Sequence, residues 1–275
     1  MKFSELTVEI VKKQSFLCIG LDSDITKIPE FLLQFDDPVF EFNKRIIDAT
    51  HDLAIAYKPN IAFYESRGAV GWKSLEATIT YLNKNYPELF LIADAKRGDI
   101  GNTSKEYAKA FFNHMNFDSI TVAPYMGKDS VEPFLSFAEK WVIVLALTSN
   151  IGASDFQFNW ISEDNAYLYE KVISETIKWG TKENTMFVVG ATKAEHLRRI
   201  RKLIPDHFLL VPGIGAQGGN LDEVVINGMN KNCGLIVNSS RGIIFAGNKQ
   251  DFAEKARLKA LELQLQMSSL LKKYL

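Results

Sequence analysis

Polar side chains in two pairs, each pair two residues apart, interrupt otherwise apolar segments of this 275-residue chain. Lys58 and Asn60 end one apolar run. Asp94 and Lys96 end the next, and Asp99 follows shortly after. Residues two apart on a β-strand face the same side, so we expect these side chains to meet in one cleft. A structural ion-pair network is the alternative, but charges at the ends of buried strands favour a functional cleft.

A lysine between two aspartates is suited to proton donation. Nearby negative charge favours the ammonium form of Lys96, which makes it a poor Schiff-base nucleophile. It remains a good proton donor and a good electrostatic partner for a carbanion. Asp94 and Asp99 could hold Mg²⁺, but the adjacent lysine competes with the ion. No histidine pair has metal-ligand spacing, so the sequence predicts no metal centre.

A glycine-rich segment and a later arginine indicate a phosphate site. The segment begins at Pro212, and Arg241 follows Ser240 after the last apolar run. Barrels often bind phosphate through the loops after strands seven and eight, where glycines let backbone amides approach the anion. The other candidates in the first loop are Gly213, Gly215, Gln217, Gly218 and Gly219. Two tight turns with a surface arginine are the alternative, but two such loops together favour a phosphorylated small molecule.

Other candidate residues follow the first and fifth apolar runs. Asp22 comes directly after the first, and Thr148 and Ser149 end the fifth. Residues 150–164 carry no clear hydrophobic pattern and are polar and aromatic. We expect this segment to be a mobile loop beside the active site.

Eight short apolar runs recur along the chain and predict strands buried on both faces of a parallel sheet. They are residues 16–21, 53–57, 89–93, 119–122, 141–147, 186–189, 208–211 and 235–237. Each is followed by a helical pattern, which predicts a single (β/α)8 TIM-barrel domain over residues 1–275, with a short opening helix Phe3–Lys13. An open doubly wound sheet would usually carry a Gly-x-Gly-x-x-Gly loop after its first strand, and none follows here.

Apolar residues three and four apart predict the helices between these strands. The predicted helices are residues 40–52, 70–86, 104–115, 131–138, 166–179, 194–203, 221–229 and 252–271. Asp129 or Ser130 could cap the fourth of them, and Asn220 could cap the seventh.

Composition excludes several classes of protein. The 32 basic and 33 acidic residues leave a net charge of -1, which argues against binding nucleic acid through bulk electrostatics. The two cysteines cannot form a disulfide framework or a cysteine-based zinc site. No apolar stretch approaches the ~20 residues of a membrane helix. The first residues do not resemble a secretory signal, so we expect a cytoplasmic protein.

The sequence Asp94-x-Lys96-x-x-Asp99-Ile100 resembles the orotidine 5'-phosphate decarboxylases. Lys-Arg-Gly-Asp-Ile-Gly-x-Thr is similar to their longer bacterial and protozoan branch, and the resemblance extends from Gly20-Leu21-Asp22 to Ser240-Arg241-Gly242. It implies a (β/α)8 barrel, usually a homodimer with sites at the subunit interface. It also implies conversion of orotidine 5'-monophosphate to UMP and CO₂ without metal or organic cofactor.

The resemblance also implies roles for individual residues. Lys96 resembles the proton donor to C6 of the pyrimidine. The rest of its charge array would be Lys58, Asp94 and, from the partner subunit, Asp99.

The remaining matches concern substrate binding. Asp22 and Lys58 resemble ribose-hydroxyl contacts, with Asn60 near the substrate. Thr103 resembles a residue that reaches across the interface toward the ribose. Thr148 or Ser149 resembles the pyrimidine contact. The phosphate-loop matches are Pro212, Gln217 and Arg241.

Two other functions remain open. Mg²⁺-dependent sugar-phosphate decarboxylases and synthases of the same superfamily share the Asp-x-Lys-x-x-Asp motif, but they use an added acidic ligand. Lys58 and Asn60 at the end of strand two favour the cofactor-free nucleotide enzyme. A non-catalytic nucleotide-phosphate-binding barrel is the other alternative, and the Lys/Asp set argues against it because pure binding does not require so costly an array.

Overall fold

The computed structural model describes residues 1–191, 194–214 and 219–275. The chain begins with helix α1 (Phe3–Lys13), where the sequence predicted it. Its buried residues Leu6 and Ile10 pack into the core beneath the barrel wall, and Gln14 ends it in a left-handed conformation.

Parallel strands close a barrel within the described residues, which confirms the (β/α)8 prediction. In chain order these strands are β1 (Leu17–Leu21), β2 (Ala56–Pro59), β3 (Phe90–Arg97), β4 (Ser119–Val122), β5 (Trp141–Leu147), β8 (Thr185–Val189), β9 (Leu209–Pro212) and β10 (Leu235–Ser239). Between β5 and β8 in the chain, β6 (Trp160–Ile161) and β7 (Ala166–Tyr167) form a separate two-stranded sheet. Around the barrel the order is β1-β10-β9-β8-β5-β4-β3-β2. Since every neighbouring pair is parallel, the carboxyl ends of all these strands lie at one rim.

Two strands extend further toward that rim than the apolar runs predict. Strand β2 begins at Ala56 and reaches Pro59, because its register with β1 pairs Cys18 with Ala56 and Leu21 with Pro59. Strand β3 continues to Arg97, beyond the predicted end at residue 93. Hydrogen bonding to neighbouring strands thus carries the charged residues into the barrel wall, where hydrophobicity alone does not predict a strand.

Helices surround the barrel in the described chain. The α-helices among them are α2 (Pro38–Thr50), α3 (Ala62–Glu65), α4 (Gly68–Asn85), α5 (Gly101–Ala108), α6 (Lys128–Leu135), α7 (Ala153–Phe156), α8 (Leu168–Thr176), α9 (Ala194–Leu203), α10 (Leu221–Gly228), α11 (Arg241–Ile244) and α12 (Phe252–Tyr274). The Asn220 side chain caps α10 by accepting from the amides of Asp222 and Glu223, as predicted. The predicted caps of the 131–138 helix were wrong, because α6 begins earlier, after Gly127.

The segment without a predicted pattern contains regular structure. Helix α7 lies within it, and β6 (Trp160–Ile161) pairs antiparallel with β7 (Ala166–Tyr167). The first two residues of the predicted 166–179 helix belong to β7, so α8 begins at Leu168. Tyr167 also packs against Phe158 and Trp160, which ties the hairpin to its own loop.

Candidate active site

A cavity of about 380 Å³ opens at the carboxyl rim of the barrel. Its wall contains residues from β2, β3, β4, β5, β8 and β9, and from the loop after β5. The lining residues are Lys58, Asp94, Lys96, Thr121, Leu145, Thr148, Ser149, Asn150, Val188, Leu210 and Pro212. The cavity is therefore lined by two ammonium groups, one carboxylate and several apolar side chains.

Three of the predicted charged residues form one ion-paired group. Lys58 Nζ lies 2.6 Å from Asp94 Oδ2, and Lys96 Nζ lies 2.5 Å from Asp94 Oδ1. The Lys58 side chain is 6% exposed and that of Asp94 is 11% exposed, whereas Lys96 remains 50% exposed. Asp94 thus uses both oxygens to hold two ammonium groups, and of these two only Lys96 is open to the cavity mouth.

Burial and ion pairing shift the pKa values of Lys58 and Asp94 in opposite directions. Burial alone would lower the pKa of Lys58, but the negative charges of Asp94 and then Asp22 outweigh it, so the pKa is raised. Burial alone would raise the pKa of Asp94, but the attraction of Lys58 and Lys96 holds it well below its usual range. Lys58 and Asp94 are therefore both charged at neutral pH.

Strand β3 is irregular where it presents Lys96. Ala93 pairs with Ile120 of β4 and Arg97 with Val122, so residues 94–96 stand opposite the single residue Thr121. Lys96 has a φ of 48°, in the left-handed region that a side chain other than glycine rarely adopts. Its backbone N–H donates to Thr121 Oγ1 at 2.9 Å. Such strain is concentrated at functional sites in proteins.

Asp22 and Asn60 flank the ion-paired group. The negative charge of Asp22 acts on Lys58, and Asp22 Oδ1 is buried without a hydrogen-bond partner among the described residues. Asn60 bridges to Asp94 through the backbone, and the next amide, that of Ile61, donates to Asp94 O at 3.2 Å. Neither residue lines the cavity, but a buried carboxylate oxygen without a partner is rare enough in folded proteins to single out Asp22.

Asp99 and Thr103 lie just beyond β3. Asp99 Oδ1 accepts the N–H of Ile100 at 2.7 Å, and within the described part of this chain Asp99 forms no ion pair. Its carbonyl accepts from Ser104, which anchors the start of α5. Thr103 is exposed on the first turn of that helix. Neither residue lines the cavity of the single chain.

Thr148 and Ser149 both line the cavity. The N–H and the hydroxyl of Thr148 are already hydrogen-bonded to side chains of the following loop. Gln157 accepts the Thr148 N–H at 2.7 Å and donates to its hydroxyl at 2.8 Å. That hydroxyl lies 2.5 Å from Asn150 Oδ1. The loop after β5 is thereby fastened to the end of its strand.

The predicted phosphate loops lie beside each other at the rim. Gly213 has a φ of 103°, and its carbonyl accepts the N–H of Gly219 at 3.1 Å. A Cβ at position 219 would lie 2.5 Å from that of Ala191, so this turn requires glycine. Gly215, Gln217 and Gly218 lie outside the described residues.

The second loop follows β10 and is hydrogen-bonded to strand β1. Ser240 donates to the carbonyl of Gly20 at 3.0 Å. Arg241 is exposed at the start of α11, on the same rim as Pro212. The geometry thus leaves the guanidinium accessible to a ligand beside the first glycine loop.

Several lining residues were not singled out from the sequence. Leu145, Val188 and Leu210 lie inside predicted strands, and period-two alternation back from the strand ends could have indicated Leu145 and Leu210. Thr121 carries no charge and lies within a predicted strand, so the sequence offered no signal for it. Asn150, which lines the cavity, and Gln157, which binds Thr148 from outside it, belong to the segment without a pattern.

Among residues 1–191, 194–214 and 219–275, no group of three or more His, Cys, Asp or Glu side chains could hold a metal ion. Across the same ranges, no helix has the length and apolar character needed to cross a membrane.

Comparisons with known proteins agree over nearly the whole chain. The family model described as orotidine 5'-phosphate decarboxylase / HUMPS family matches residues 15–256. The orotidine 5'-phosphate decarboxylase of Christiangramia forsetii is 62% identical over 273 residues, which cover 99% of this chain and 100% of the relative. That of Flavobacterium johnsoniae is 59% identical over 98% of both chains.

Solved structures give the same result. The OMP decarboxylase of Leishmania donovani superimposes with a TM-score of 0.84 at 37% identity, covering 98% of this chain and 99% of its own. The orotidine 5'-monophosphate decarboxylase of Plasmodium berghei has a TM-score of 0.83 at 27% identity, covering 98% of this chain and 98% of its own. These protozoan structures are of the longer type that the Lys-Arg-Gly-Asp-Ile-Gly-x-Thr motif indicated.

Proposed function

Since this chain belongs to the orotidine 5'-phosphate decarboxylase / HUMPS family, we propose that the cavity at its barrel rim is where orotidine 5'-monophosphate is converted to UMP and CO₂, with Lys96 as the proton donor. The decarboxylase activity itself follows from full-length relatives at about 60% identity. It makes the protein a carboxy-lyase of pyrimidine biosynthesis. The assignment of residues within the site is our proposal.

The observation that carries the proposal is the placement of Lys96. Its ammonium is bound to Asp94 on one side and half-exposed to the cavity on the other. When the bond between C6 and the carboxylate breaks, CO₂ leaves and the electron pair stays on C6. Lys96 stabilises this charge and then donates a proton to C6, which gives UMP. Solvent later reprotonates the neutral amine.

Asp94 orients the Lys96 ammonium, and Lys58 in turn fixes the position of Asp94. Asp94 is ionised because two ammonium groups surround it, and Lys58 balances its charge from the buried side. The network is already assembled before substrate enters, so little reorganisation is needed at the moment of reaction. In this proposal the carboxylate of the substrate binds close to Asp94, whose negative charge disfavours the bound carboxylate relative to CO₂.

Other residues at the rim would bind the ribose, the pyrimidine and the phosphate of the substrate. Asp22 and Lys58 would contact the ribose hydroxyl groups, with Asn60 beside them, and Thr148 or Ser149 would contact the pyrimidine. Pro212, Gly213, Gln217, Ser240 and Arg241 would hold the phosphate, together with Gly215 and Gly218. Binding energy from the phosphate, remote from C6, can be used to orient the ring for reaction.

We also propose a homodimer in which Asp99 and Thr103 act on the partner subunit's site. Asp99 has no ion-pair partner in the described part of its own chain, which leaves its carboxylate available to a second copy. Each subunit would be a single barrel domain, 1–275. Cys18 and Cys233 are free and buried, which fits the reducing cytoplasm, where we propose the enzyme works.

The proposed function is tested by measuring decarboxylation of orotidine 5'-monophosphate in the absence of metal. The protein is incubated with orotidine 5'-monophosphate in EDTA, and the absorbance change to UMP is followed. We expect the same rate with EDTA and with added Mg²⁺. Activity that requires Mg²⁺, or that appears only with a sugar phosphate, would favour the metal-dependent lyases of the superfamily. Binding of UMP without any turnover would favour a non-catalytic nucleotide-binding barrel.

A further inference from the structure

The backbone of Lys96 is held by a side chain, not by the strand ladder. Residues 94–96 form a bulge opposite Thr121, so the N–H of Lys96 has no carbonyl of β4 to pair with in the regular pattern. It donates instead to Thr121 Oγ1 at 2.9 Å. This hydrogen bond is partly buried, and a backbone donor that is shielded from water is costly to leave unpaired.

The same hydroxyl also reaches the carboxylate that pairs with Lys96. Thr121 Oγ1 lies 3.2 Å from Asp94 Oδ1 and 3.5 Å from the carbonyl of Ala93, so the carboxylate is the nearer acceptor of its proton. Asp94 Oδ1 accepts from Lys96 Nζ as well. The hydrogen bonds therefore close a ring from the Lys96 backbone, through Thr121 and Asp94, to the Lys96 side chain.

We infer that Thr121 is a positioning residue for the decarboxylation, an inference that rests on the proposed role of Lys96. Its hydroxyl holds Lys96 in the left-handed conformation and fixes the oxygen of Asp94 to which the ammonium is bound. Thr121 is 1% exposed and lines the cavity, so its position is set by packing on β4. A rigid strand thereby determines where the donated proton lies.

Removal of the hydroxyl should affect the reaction more than binding. In Thr121→Val the β-branched shape remains, but both hydrogen bonds are lost, so the bulge can relax and carry Lys96 away from C6. Displacements near 1 Å can reduce rates by about 100-fold. The ribose and phosphate contacts lie elsewhere on the rim and should be preserved.

The test compares kcat, KM and UMP affinity among the parent, Thr121→Val and Thr121→Ser. We expect Thr121→Val to lower kcat by about tenfold or more while the Kd for UMP changes by less than about threefold. Thr121→Ser keeps the hydroxyl and should retain kcat within about threefold of the parent. Thr185→Val removes a buried threonine hydroxyl from the opposite end of a barrel strand and should leave kcat unchanged.

Other results would overturn the inference. These are a parental kcat in Thr121→Val, an equal loss in Thr121→Ser, or an equal loss in Thr185→Val. A loss confined to UMP affinity would also overturn it, because it would assign Thr121 to binding. If the parent itself fails to decarboxylate orotidine 5'-monophosphate, the proposed function fails, which is a separate outcome from parental kcat in Thr121→Val.

Discussion

Lys58 Nζ and Asp94 Oδ2 lie 2.6 Å apart, although they come from different strands and are both almost fully buried. Burial of such a pair is favourable only when each charge keeps its partner and its hydrogen bonds. The second oxygen of Asp94 binds Lys96, so the pair fixes the third charge as well. Removal of Asp94 deprives both ammonium groups of their ion-pair partner, whereas removal of either lysine leaves Asp94 paired with the other.

Asp94→Asn should therefore destabilise the protein as well as inactivate it. The change removes the ion-pair partner of the buried Lys58 ammonium and leaves it only the weaker influence of Asp22, and breaking a buried pair in this way typically costs about 3–5 kcal/mol. Urea denaturation of parent and variant measures the free energy of unfolding. Asp52→Asn, which breaks an exposed pair with Arg257, is the control and should cost less than about 1 kcal/mol. Equal losses in the two variants would contradict the prediction.

The pH dependence of that stability difference follows from the direction of the two pKa shifts. A lowered pKa of Asp94 stabilises the folded state above the ordinary carboxyl pKa of about 4, and this is lost as pH falls through the lowered value. The raised pKa of Lys58 stabilises the folded state below about pH 10. This stabilisation is lost only as pH rises through the raised pKa. The difference between parent and Asp94→Asn should be constant from about pH 5 to 9 and should shrink below about pH 4. A difference that changes steadily across neutral pH would contradict it.

Subunit mixing tests whether Asp99 acts across an interface. Lys96→Ala and Asp99→Ala should each be inactive alone. In an equal mixture half of the dimers are mixed, and each mixed dimer has one site with both residues intact, so about one quarter of the parental activity should return. The measurement is turnover before and after subunit exchange. Activity equal to the sum of the separate variants would place Asp99 and Lys96 in the same chain's site.

Arg241→Ala should weaken substrate binding through the phosphate. The exposed guanidinium beside the glycine loop suits a phosphate group, and a charge-assisted hydrogen bond contributes about 1.5–3 kcal/mol. We expect KM to rise by about tenfold or more, and inorganic phosphate to compete with substrate in the parent but less in the variant. Arg198→Ala, on the outer face of α9, is the matched control. An unchanged KM, or no competition by phosphate at high concentration, would remove Arg241 from the site.

The fold could be predicted because buried parallel strands are apolar on both faces. All eight apolar runs overlap barrel strands, and the charges that end two of them lie at the cavity. The limits of β3 could not be predicted, because Asp94 and Lys96 join the strand through pairing with β4 and not through hydrophobicity.

The contribution of Thr121 was hidden for a related reason. Its hydrogen bonds depend on a bulge in the neighbouring strand, which is a property of the register between strands. Gln157 was hidden because it lies in a loop whose order comes from contacts with Thr148 and from a two-residue hairpin. Hydrophobic periodicity reports neither kind of contact.

The central claim is that Lys96 delivers the proton to C6 without help from a metal. The most direct test is turnover of orotidine 5'-monophosphate by Lys96→Ala in EDTA, with UMP binding measured on the same preparation and exposed Lys259→Ala as control. We predict that Lys96→Ala loses at least about 1000-fold in kcat, while UMP binding stays measurable and Lys259→Ala matches the parent. Parental turnover by Lys96→Ala would contradict the account.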